Sequence, residues 1–309
     1  MVVHVPARPY PPGQPEPEEV EPPVHPQDPA PVVAQLRTAG CVFAEDEAAA
    51  LLAAATGPGS LAALVDRRAR GEPLEQVLGW AGFCGLRVVV EPGVFVPRQR
   101  SVLLVEQAVA LLRGSGRTPV VVDLCCGSGA VGLAVADALG PVELHAADVD
   151  AVAVRCARRN LARVGGSVHR GDLYAALPAA VHGRVDLLVA NAPYVPSAAV
   201  ALLPPEARDH EPRAALDGGP DGTDLQRRVA AGARSWLAPG GTLLVETSAR
   251  QAPLTAAAVE AGGLRATVVR DDERDATVVV GTSPQTAVSE SSRSAVTHAV
   301  TIQDGSVTR

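Results

Sequence analysis

The sequence contains no lysine, and all 27 of its basic residues are arginine. Chemistry that depends on a lysine amine, such as a Schiff base or a P-loop, is therefore excluded. Positive charge is also in deficit, because 34 acidic residues give a net charge of -7. A chain of this charge lacks the electrostatic footprint of a protein that binds long nucleic acids. We expect a protein or small-molecule partner and no stable nucleic-acid binding.

Aromatic residues and cysteines are scarce. Aromatic residues make up 3% of the chain, so the core should consist of small aliphatic side chains. The five cysteines are scattered and have no C-x-x-C spacing, so we predict no metal site. We interpret them as reduced thiols of a cytoplasmic protein. They are Cys41, Cys84, Cys125, Cys126 and Cys156.

Long hydrophobic runs are missing as well. Arg, Asp or Pro interrupts each apolar stretch before it approaches the ~20 residues that cross a bilayer, so no membrane partner is expected. Residues 1–30 are rich in Pro and Glu and lack the apolar segment of a signal peptide. Residues 284–309 are rich in Ser, Thr and Gln. We predict a disordered Pro-rich arm and a disordered tail at these two ends.

The residues between these ends divide into two predicted parts. Residues 31–80 contain three stretches with helical apolar spacing, which predicts a small helical cap. Residues 81–283 alternate short apolar runs with helical segments, the α/β pattern of a parallel sheet covered on both faces. We predict an antiparallel hairpin at the sheet edge, and Ser101 as a helix N-cap. The predicted strands are 86–90, 120–124, 142–147, 166–170, 185–190, 242–246, 264–270 and 277–280, and the helices of this part are 101–112, 130–139, 150–162, 224–237 and 252–261.

The strand 120–124 ends in an acidic, glycine-rich loop, Asp123-Leu124-Cys125-Cys126-Gly127-Ser128-Gly129. Its glycines let backbone N–H groups approach a ligand closely, so we predict a cofactor site that includes Asp123. The glycines at 127, 129 and 132, followed by Asp148, also match the dinucleotide fingerprint, so a nicotinamide enzyme is an alternative. In a dinucleotide site the first glycine follows the strand almost at once. The longer loop here favours the smaller, cationic S-adenosylmethionine.

Two further acids follow the next two predicted strands. Asp148 can accept hydrogen bonds from both hydroxyls of a ribose, and Asp172 can accept one from the adenine amino group. The alternative for each is structural. Asp148 would cap the helix that starts near Asp150, and Asp172 would close a turn.

Asn191-Ala192-Pro193-Tyr194 follows the predicted strand 185–190. An amide nitrogen is a poor nucleophile, so a transferase has to bind its two hydrogens and aim the nitrogen at the methyl group. The side-chain oxygen of Asn191 and the backbone carbonyl of Ala192 can accept these hydrogens, with Pro193 holding Ala192 extended. Tyr194 can pack flat against the amide. The alternative is a turn that only ends the strand.

Several segments, in the same order along residues 32–282, resemble the HemK/PrmC family of S-adenosylmethionine-dependent protein-glutamine N5-methyltransferases. Several matches in order are far more specific than a single glycine loop. The matching segments are Gly71-Glu72-Pro73-Leu74-Glu75-Gln76-Val77-Leu78-Gly79, Phe95-Val96-Pro97-Arg98, the loop from Asp123 to Gly129, Asn191 to Tyr194, and Glu211-Pro212-Arg213-Ala214-Ala215-Leu216-Asp217-Gly218-Gly219.

The resemblance implies a Rossmann-like class I methyltransferase sheet of seven strands, the last antiparallel, behind a small N-terminal helical domain that helps to choose the protein substrate. It implies methylation of a protein glutamine at N5, as in the Gly-Gly-Gln motif of peptide release factors. Asn191 to Tyr194 would bind that glutamine. Glu211-Pro212-Arg213 would shape the pocket wall or form a structural turn with a buried ion pair. The implied cofactor contacts are Cys125, Cys126, Gly127, Ser128, Gly129, Asp148, Leu173 and Asn191.

The chain departs from the family pattern in three places. Ala192 replaces a proline, which keeps the carbonyl but relaxes the backbone that aims it. Gln99-Arg100-Ser101 stands where Pro-Glu-Thr is usual, so an acid is missing. The cap is short, which leaves the chemistry better defined than the protein target. The alternatives are methylation of an exocyclic amine of a nucleic acid, the nicotinamide enzyme, and a binder without turnover.

Overall fold

The computed structural model describes residues 28–284, which form a helical cap followed by an α/β domain. The predicted arm, 1–30, and the predicted tail, 284–309, lie outside the described residues except for 28–30 and 284. Every helix within the described range is too short or too polar to cross a membrane.

Residues 30–78 form the cap. Its four helices are α1 (Ala30–Thr38), α2 (Ala44–Ala54), α3 (Pro58–Ala69) and α4 (Leu74–Leu78). The first three correspond to the predicted cap helices, whereas α4, with five residues, is too short to show a helical period. On α2, Ala44, Ala48 and Leu51 recur every three or four residues and are fully buried, so they share one face. They pack with Leu36 and Val65 into a core of the cap's own.

A two-stranded antiparallel hairpin, β1 (Trp80–Phe83) and β2 (Leu86–Val89), follows the cap. Cys84 and Gly85 form its turn with φ values of 50° and 75°, the left-handed conformation that tight hairpin turns require. Only the second strand was predicted, because the first has four residues and contains a glycine. The cap helices thus end at Leu78, close to the predicted division after residue 80.

Residues 120–282 form a seven-stranded sheet. Its strands are β3 (Val120–Leu124), β4 (Glu143–Asp148), β5 (Ser167–Arg170), β6 (Val185–Ala190), β7 (Leu237–Thr247), β8 (Arg265–Asp271) and β9 (Ala276–Thr282). Their order across the sheet is β5-β4-β3-β6-β7-β9-β8. The first five in this order are parallel, and β9 runs antiparallel between β7 and β8. This confirms the predicted class I methyltransferase sheet and the hairpin at its edge.

Helices cover both faces of the sheet. One face packs against α5 (Val102–Leu112), α6 (Ala130–Leu139) and α7 (Ala151–Leu161), and the other against α9 (Asp224–Trp236) and α10 (Ala252–Ala261). The short α8 (Pro205–His210) lies in the connection between β6 and α9. Along β3, Val121 belongs to the first of these cores and Val122 to the second, as the two-residue period of a strand requires. Burial on both faces explains why β3 is a continuous apolar run.

Arg68, at the end of α3, ties the cap to the α/β domain. Its side chain is only 6% exposed. The guanidinium donates to Glu47 of the cap at 2.6 Å and to Glu206 of α8 at 2.5 Å. Because Glu206 also lines the large cleft of the α/β domain, the cap is attached directly to a wall of that cleft.

Arg68→Ala is expected to lower the free energy of unfolding by about 3–5 kcal/mol, because it leaves Glu47 buried without its partner charge. Urea denaturation followed by circular dichroism measures the change. Arg70→Ala is the matched control. Arg70 is 65% exposed and lies 3.9 Å from Glu72, so its loss should cost less than about 1 kcal/mol. Equal losses in the two variants would contradict the anchoring role of Arg68.

Candidate active site

A cleft of about 770 Å³ lies at the carboxyl ends of β3, β4 and β6. The strand order reverses between β3 and β6, because the chain runs from β3 to β4 and β5 on one side and then crosses to β6 and β7 on the other. This is the crevice in which open α/β sheets bind ligands. Of the predicted site residues, Gly129 is not part of the lining and lies instead at the N-terminus of α6. The predicted residues that line the cleft are Asp123, Cys125, Cys126, Gly127, Ser128, Asp148, Asp172, Leu173, Asn191, Ala192, Pro193 and Tyr194.

The loop after β3 turns sharply at the floor of the cleft. Cys125, Gly127 and Gly129 have φ values of 55°, 54° and 76°. Glycine adopts this conformation freely, whereas a residue such as Cys125 is strained there by about 1–3 kcal/mol. The loop is fixed by a hydrogen bond from the Cys126 N–H to the carbonyl of Ala147 at 3.1 Å. Strained backbone is thus held in place where it faces the cleft.

Asp148, the last residue of β4, accepts hydrogen bonds from the N–H groups of Gly127 and Asp150, both at 2.9 Å. The N-cap of α7 is Asp150, whose carboxylate accepts from the Val152 N–H at 2.6 Å. The alternative in which Asp148 caps this helix is therefore wrong. A carboxylate oxygen has two lone pairs, so each oxygen of Asp148 can accept one more hydrogen bond, as a diol requires.

Asp172 and Leu173 follow the edge strand β5. Asp172 pairs with Arg228 of α9 at 2.6 Å, and the two side chains are 58% and 54% exposed. The Asp172 side chain makes no hydrogen bond to the turn that follows, so the turn-closing alternative does not describe it. Leu173 has a φ of 48°, which makes it a second strained non-glycine residue in the cleft lining.

Two carboxylates, the buried Asp123 and the half-buried Asp148, make the floor of the cleft acidic. Burial raises the pKa of Asp123 to about 7, although the Gly132 N–H, which donates to it at 2.9 Å, lowers it. The negative charge of Asp148 raises the pKa of Asp123 further. Burial also raises the pKa of Asp148, against the hydrogen bonds from Asp150 and Gly127. A cationic ligand would relieve this repulsion and the phosphates of a dinucleotide would add to it, which argues against the nicotinamide alternative.

The acceptor segment, Asn191 to Tyr194, leaves β6 beside this loop. Leu124 of β3 pairs with Ala190 of β6, so Cys125 and Asn191 follow at neighbouring strand ends. The Asn191 side-chain amide donates from Nδ2 to the hydroxyl of Ser101 at 3.2 Å, which leaves Oδ1 as an acceptor. The Tyr194 hydroxyl donates to Glu246 at 3.1 Å.

The predicted N-cap role of Ser101 is wrong. A turn of 3-10 helix, Gln99–Ser101, precedes α5, and Ser101 has a helical backbone with no capping hydrogen bond. Its hydroxyl contacts Asn191 instead, in a position that is 1% exposed. Glu246 was not predicted as a site residue. Its sequence context resembles that of Asp123, because Glu246 follows the apolar run 243–245 of a strand as Asp123 follows 120–122.

Residues 216–222 and Gln251 hold the acceptor segment from outside. The Val195 N–H donates to the carbonyl of Leu216 at 2.9 Å, and Gln251 donates from Nε2 to the carbonyl of Tyr194 at 2.7 Å. Gly222 has a φ of 78°, and a Cβ there would lie 2.3 Å from the carbonyl oxygen of Tyr194. These contacts fix the backbone around Ala192, where the family's usual proline ring is absent.

Glu211-Pro212-Arg213 combines both of its expected roles. Glu211 accepts from Arg98 at 2.7 Å and from the Val96 N–H at 3.1 Å, and its side chain is fully buried. Pro212 lines the cleft. The segment therefore forms part of the cleft wall and is held there by a buried ion pair.

Gly222→Ala is expected to destabilise the protein by about 2 kcal/mol more than Gly183→Ala, because the new methyl group would collide with the backbone of Tyr194. Gly183 is the matched control. Its φ of 72° imposes similar strain, but a Cβ there meets no atom within 4 Å. Urea denaturation of both variants measures the difference. Equal destabilisation would show that the backbone strain, and not the contact with Tyr194, is the constraint.

Comparisons with known proteins show which family the chain resembles. Residues 85–203 match the methyltransferase small domain family. A release factor glutamine methyltransferase from Geobacter sulfurreducens is 41% identical over 61% of this chain and 65% of its own length. Another, from Bradyrhizobium diazoefficiens, is 35% identical over 74% of this chain and 85% of its own length.

A relative with a different name is similar over almost the same share of the chain. The 4-amino-L-phenylalanine/4-methylamino-L-phenylalanine methyltransferase of Streptomyces pristinaespiralis is 36% identical over 60% of this chain and 65% of its own length. This chain spans about 65% of the length of the first relatives that it matches. The similarity to the Geobacter protein, and to the Bradyrhizobium protein over 85% of its length, identifies the family. The chain belongs to the release factor glutamine methyltransferase, or HemK/PrmC, family.

Proposed function

We propose that the protein transfers a methyl group from S-adenosylmethionine to the side-chain amide nitrogen, N5, of a protein glutamine. We propose the glutamine of the Gly-Gly-Gln motif of a peptide release factor as the substrate. The observation that carries the proposal is that Asn191 to Tyr194 and the loop from Asp123 to Ser128 line one cleft at adjacent strand ends.

The cleft fits the methyl donor of this family, S-adenosylmethionine. When bound, the donor supplies an electrophilic methyl group and leaves as a neutral thioether. Asp148 has the free lone pairs to bind the ribose hydroxyls, and Asp172 would accept from the adenine amino group. The loop at Cys125 to Ser128 and the backbone of Leu173 would complete the cofactor site. The acidic floor at Asp123 suits the cationic sulfonium centre.

The acceptor segment would bind and aim the glutamine amide. Oδ1 of Asn191 and the carbonyl of Ala192 would each accept one amide hydrogen, which leaves the nitrogen pointing at the methyl carbon. Pro193 restricts Ala192 to an extended conformation, and Tyr194 would pack against the amide plane. Binding both hydrogens increases the electron density on the nitrogen. One of them leaves as a proton once the bond to the methyl carbon forms, and the N-protonated amide is acidic enough to release it to water, so no strong base is required and positioning supplies most of the rate.

The cleft lining argues against a nucleic-acid amine as the substrate. Three arginines line the cleft. Arg98 and Arg228 are paired with Glu211 and Asp172, and Arg100 is the one without a salt bridge to residues 28–284. Together with the net charge of -7, these pairings leave little positive charge for a phosphate backbone. A free amino acid amine, as in the name of the Streptomyces relative, is the other substrate class that the test must separate.

The test incubates the protein with labelled S-adenosylmethionine and one candidate substrate in each of several parallel reactions. The candidates are a purified release factor, the same factor with its Gly-Gly-Gln glutamine changed to alanine, transfer and ribosomal RNA, and 4-amino-L-phenylalanine. We expect label only in the unaltered release factor, with the methyl group located on the glutamine side chain by mass spectrometry. Label in the RNA or the amino acid, with the release factor unlabelled, would overturn the proposal.

Asn191→Ala is expected to lower kcat by roughly 100-fold or more, because it removes one of two oriented acceptors at the reacting nitrogen. Cofactor affinity should fall much less, since Asp148 and the loop at Cys125 to Ser128 are intact. Steady-state kinetics and calorimetric titration with S-adenosylhomocysteine measure the two effects separately. Wild-type kcat in this variant would remove Asn191 from the mechanism.

The affinity for S-adenosylmethionine is expected to rise as the pH increases from about 6 to 8. Asp123 has a pKa raised to about 7, so it is neutral below that pH and negatively charged above it. A bound cation favours the charged form, so affinity should gain up to about 10-fold for each unit by which binding lowers this pKa.

Titration calorimetry of the wild type and of Asp123→Asn across this pH range separates the titration of Asp123 from that of the ligand. The curves of affinity against pH for the wild type and Asp123→Asn should differ more for S-adenosylmethionine than for S-adenosylhomocysteine, whose sulfur is uncharged. Identical curves for the two proteins would contradict the prediction.

A further inference from the structure

Glu246 is a buried carboxylate behind the acceptor segment. It is 2% exposed, and it follows Val245, which pairs with Ala190 at the neighbouring strand end, so Glu246 lies beside Asn191. Among residues 28–284 no arginine or histidine forms a salt bridge with it. A buried carboxylate without an ion pair depends on hydrogen-bond donors for its stability.

Two hydroxyl groups face this carboxylate. The Tyr194 hydroxyl donates to Oε1 at 3.1 Å. Oε2 is buried and has no hydrogen-bond partner within residues 28–284. The Ser101 hydroxyl is the other donor group whose proximity affects this carboxylate. Burial raises the pKa of Glu246, while the hydroxyls of Ser101 and Tyr194 and the positive charge of Arg100 lower it.

Hydrogen bonds can link Asn191, Ser101 and Glu246 so that each donor points toward the Glu246 carboxylate. An ionised carboxylate only accepts hydrogen bonds and the Ser101 hydroxyl can rotate, so its single hydrogen is assigned to the unpartnered Oε2 of Glu246. The Ser101 oxygen can then only accept. It therefore selects the Nδ2 end of the Asn191 carboxamide, which donates to it at 3.2 Å, and turns the Oδ1 end away from Ser101. The buried charge thus decides which end of the carboxamide is free for a ligand.

We propose that Glu246 is a positioning residue of the acceptor site: through Ser101 it fixes the Asn191 carboxamide with its oxygen free for the substrate, and it holds the Tyr194 ring by the hydroxyl. The assignment rests on the proposed function, because the free oxygen matters for an acceptor that presents amide hydrogens. Glu246 itself has no place in the cleft lining, so it acts through these two residues.

The test compares Glu246→Gln, Ser101→Ala and Ser101→Thr with the wild type. Glutamine has the shape of Glu246 but presents an N–H donor, which competes with Asn191 for the Ser101 oxygen. Alanine removes the relay, and threonine keeps its hydroxyl. We expect kcat to fall about 10-fold or more in Glu246→Gln and Ser101→Ala, with partial recovery in Ser101→Thr. The dissociation constant for S-adenosylhomocysteine should stay within about threefold of the wild type, because the residues of the cofactor loop are unchanged.

A second readout does not depend on turnover. In proton–nitrogen NMR spectra, the side-chain amide resonances of Asn191, assigned by their loss in Asn191→Ala, should shift in Glu246→Gln and Ser101→Ala. Thr247→Val is the matched control. Thr247 is the next residue on β7, is 3% exposed, and forms a buried hydrogen bond with Thr255 at 3.0 Å rather than with Ser101 or Asn191. Thr247→Val should leave both kcat and the Asn191 resonances unchanged.

Wild-type kcat in Glu246→Gln and Ser101→Ala, or unshifted Asn191 resonances in both, would overturn the positioning role. An equal loss of kcat in Thr247→Val would also overturn it, because the effect would then be one of general destabilisation. Failure of the proposed function has a different signature, since the wild type itself would leave the release factor unmethylated while the resonance shifts would still report the orientation of Asn191.

Discussion

The parallel register of β3, β6 and β7 is the constraint on which the site depends. Leu124, Ala190 and Val245 lie side by side. β3 and β6 end at this level, whereas β7 continues to Thr247, so Glu246 lies within the sheet beside the two loops. Three different chemistries therefore meet without any long-range loop to bring them together: a strained cofactor loop, an amide acceptor and a buried carboxylate. The small aliphatic side chains of these strands let helices cover both faces closely, which keeps this register buried.

The periodic parts of the fold were predictable because burial imposes a period on the sequence. The alternation of apolar runs and helices predicted the strands of the main sheet and the helices on its faces, and every predicted site residue except Gly129 lines the cleft. Two short elements without a clear apolar period, α4 with five residues and β1 with four, were not predicted. The predicted role of Ser101 failed for a related reason: a hydroxyl before a helix has the same sequence signal whether it caps that helix or binds a distant strand end.

The departures from the family pattern are easier to understand with the surrounding contacts in view. Ala192 relaxes the backbone, yet Gln251, Leu216 and Gly222 hold the segment just after it, at Tyr194 and Val195. Where the family usually has threonine, Ser101 keeps the hydroxyl that binds Asn191. The acid that is missing at position 100 is replaced by an arginine whose charge acts on Glu246 and Tyr194. Long-range contacts of this kind leave no trace in local sequence pattern, so they could not be predicted.

The contact of Arg68 with Glu206 sets the distance between the cap and the cleft. Glu206 belongs to the cleft wall and also accepts a hydrogen bond from Arg68, which is buried in the cap, so the cap and the candidate active site keep a fixed separation. Under the proposed function, a protein substrate that docked on the cap would have to present its glutamine at the distance from the docking contact that this link sets. Such a requirement would tolerate variation in the sequence around the modified residue, but it would reject a partner whose exposed loop is too short or too long.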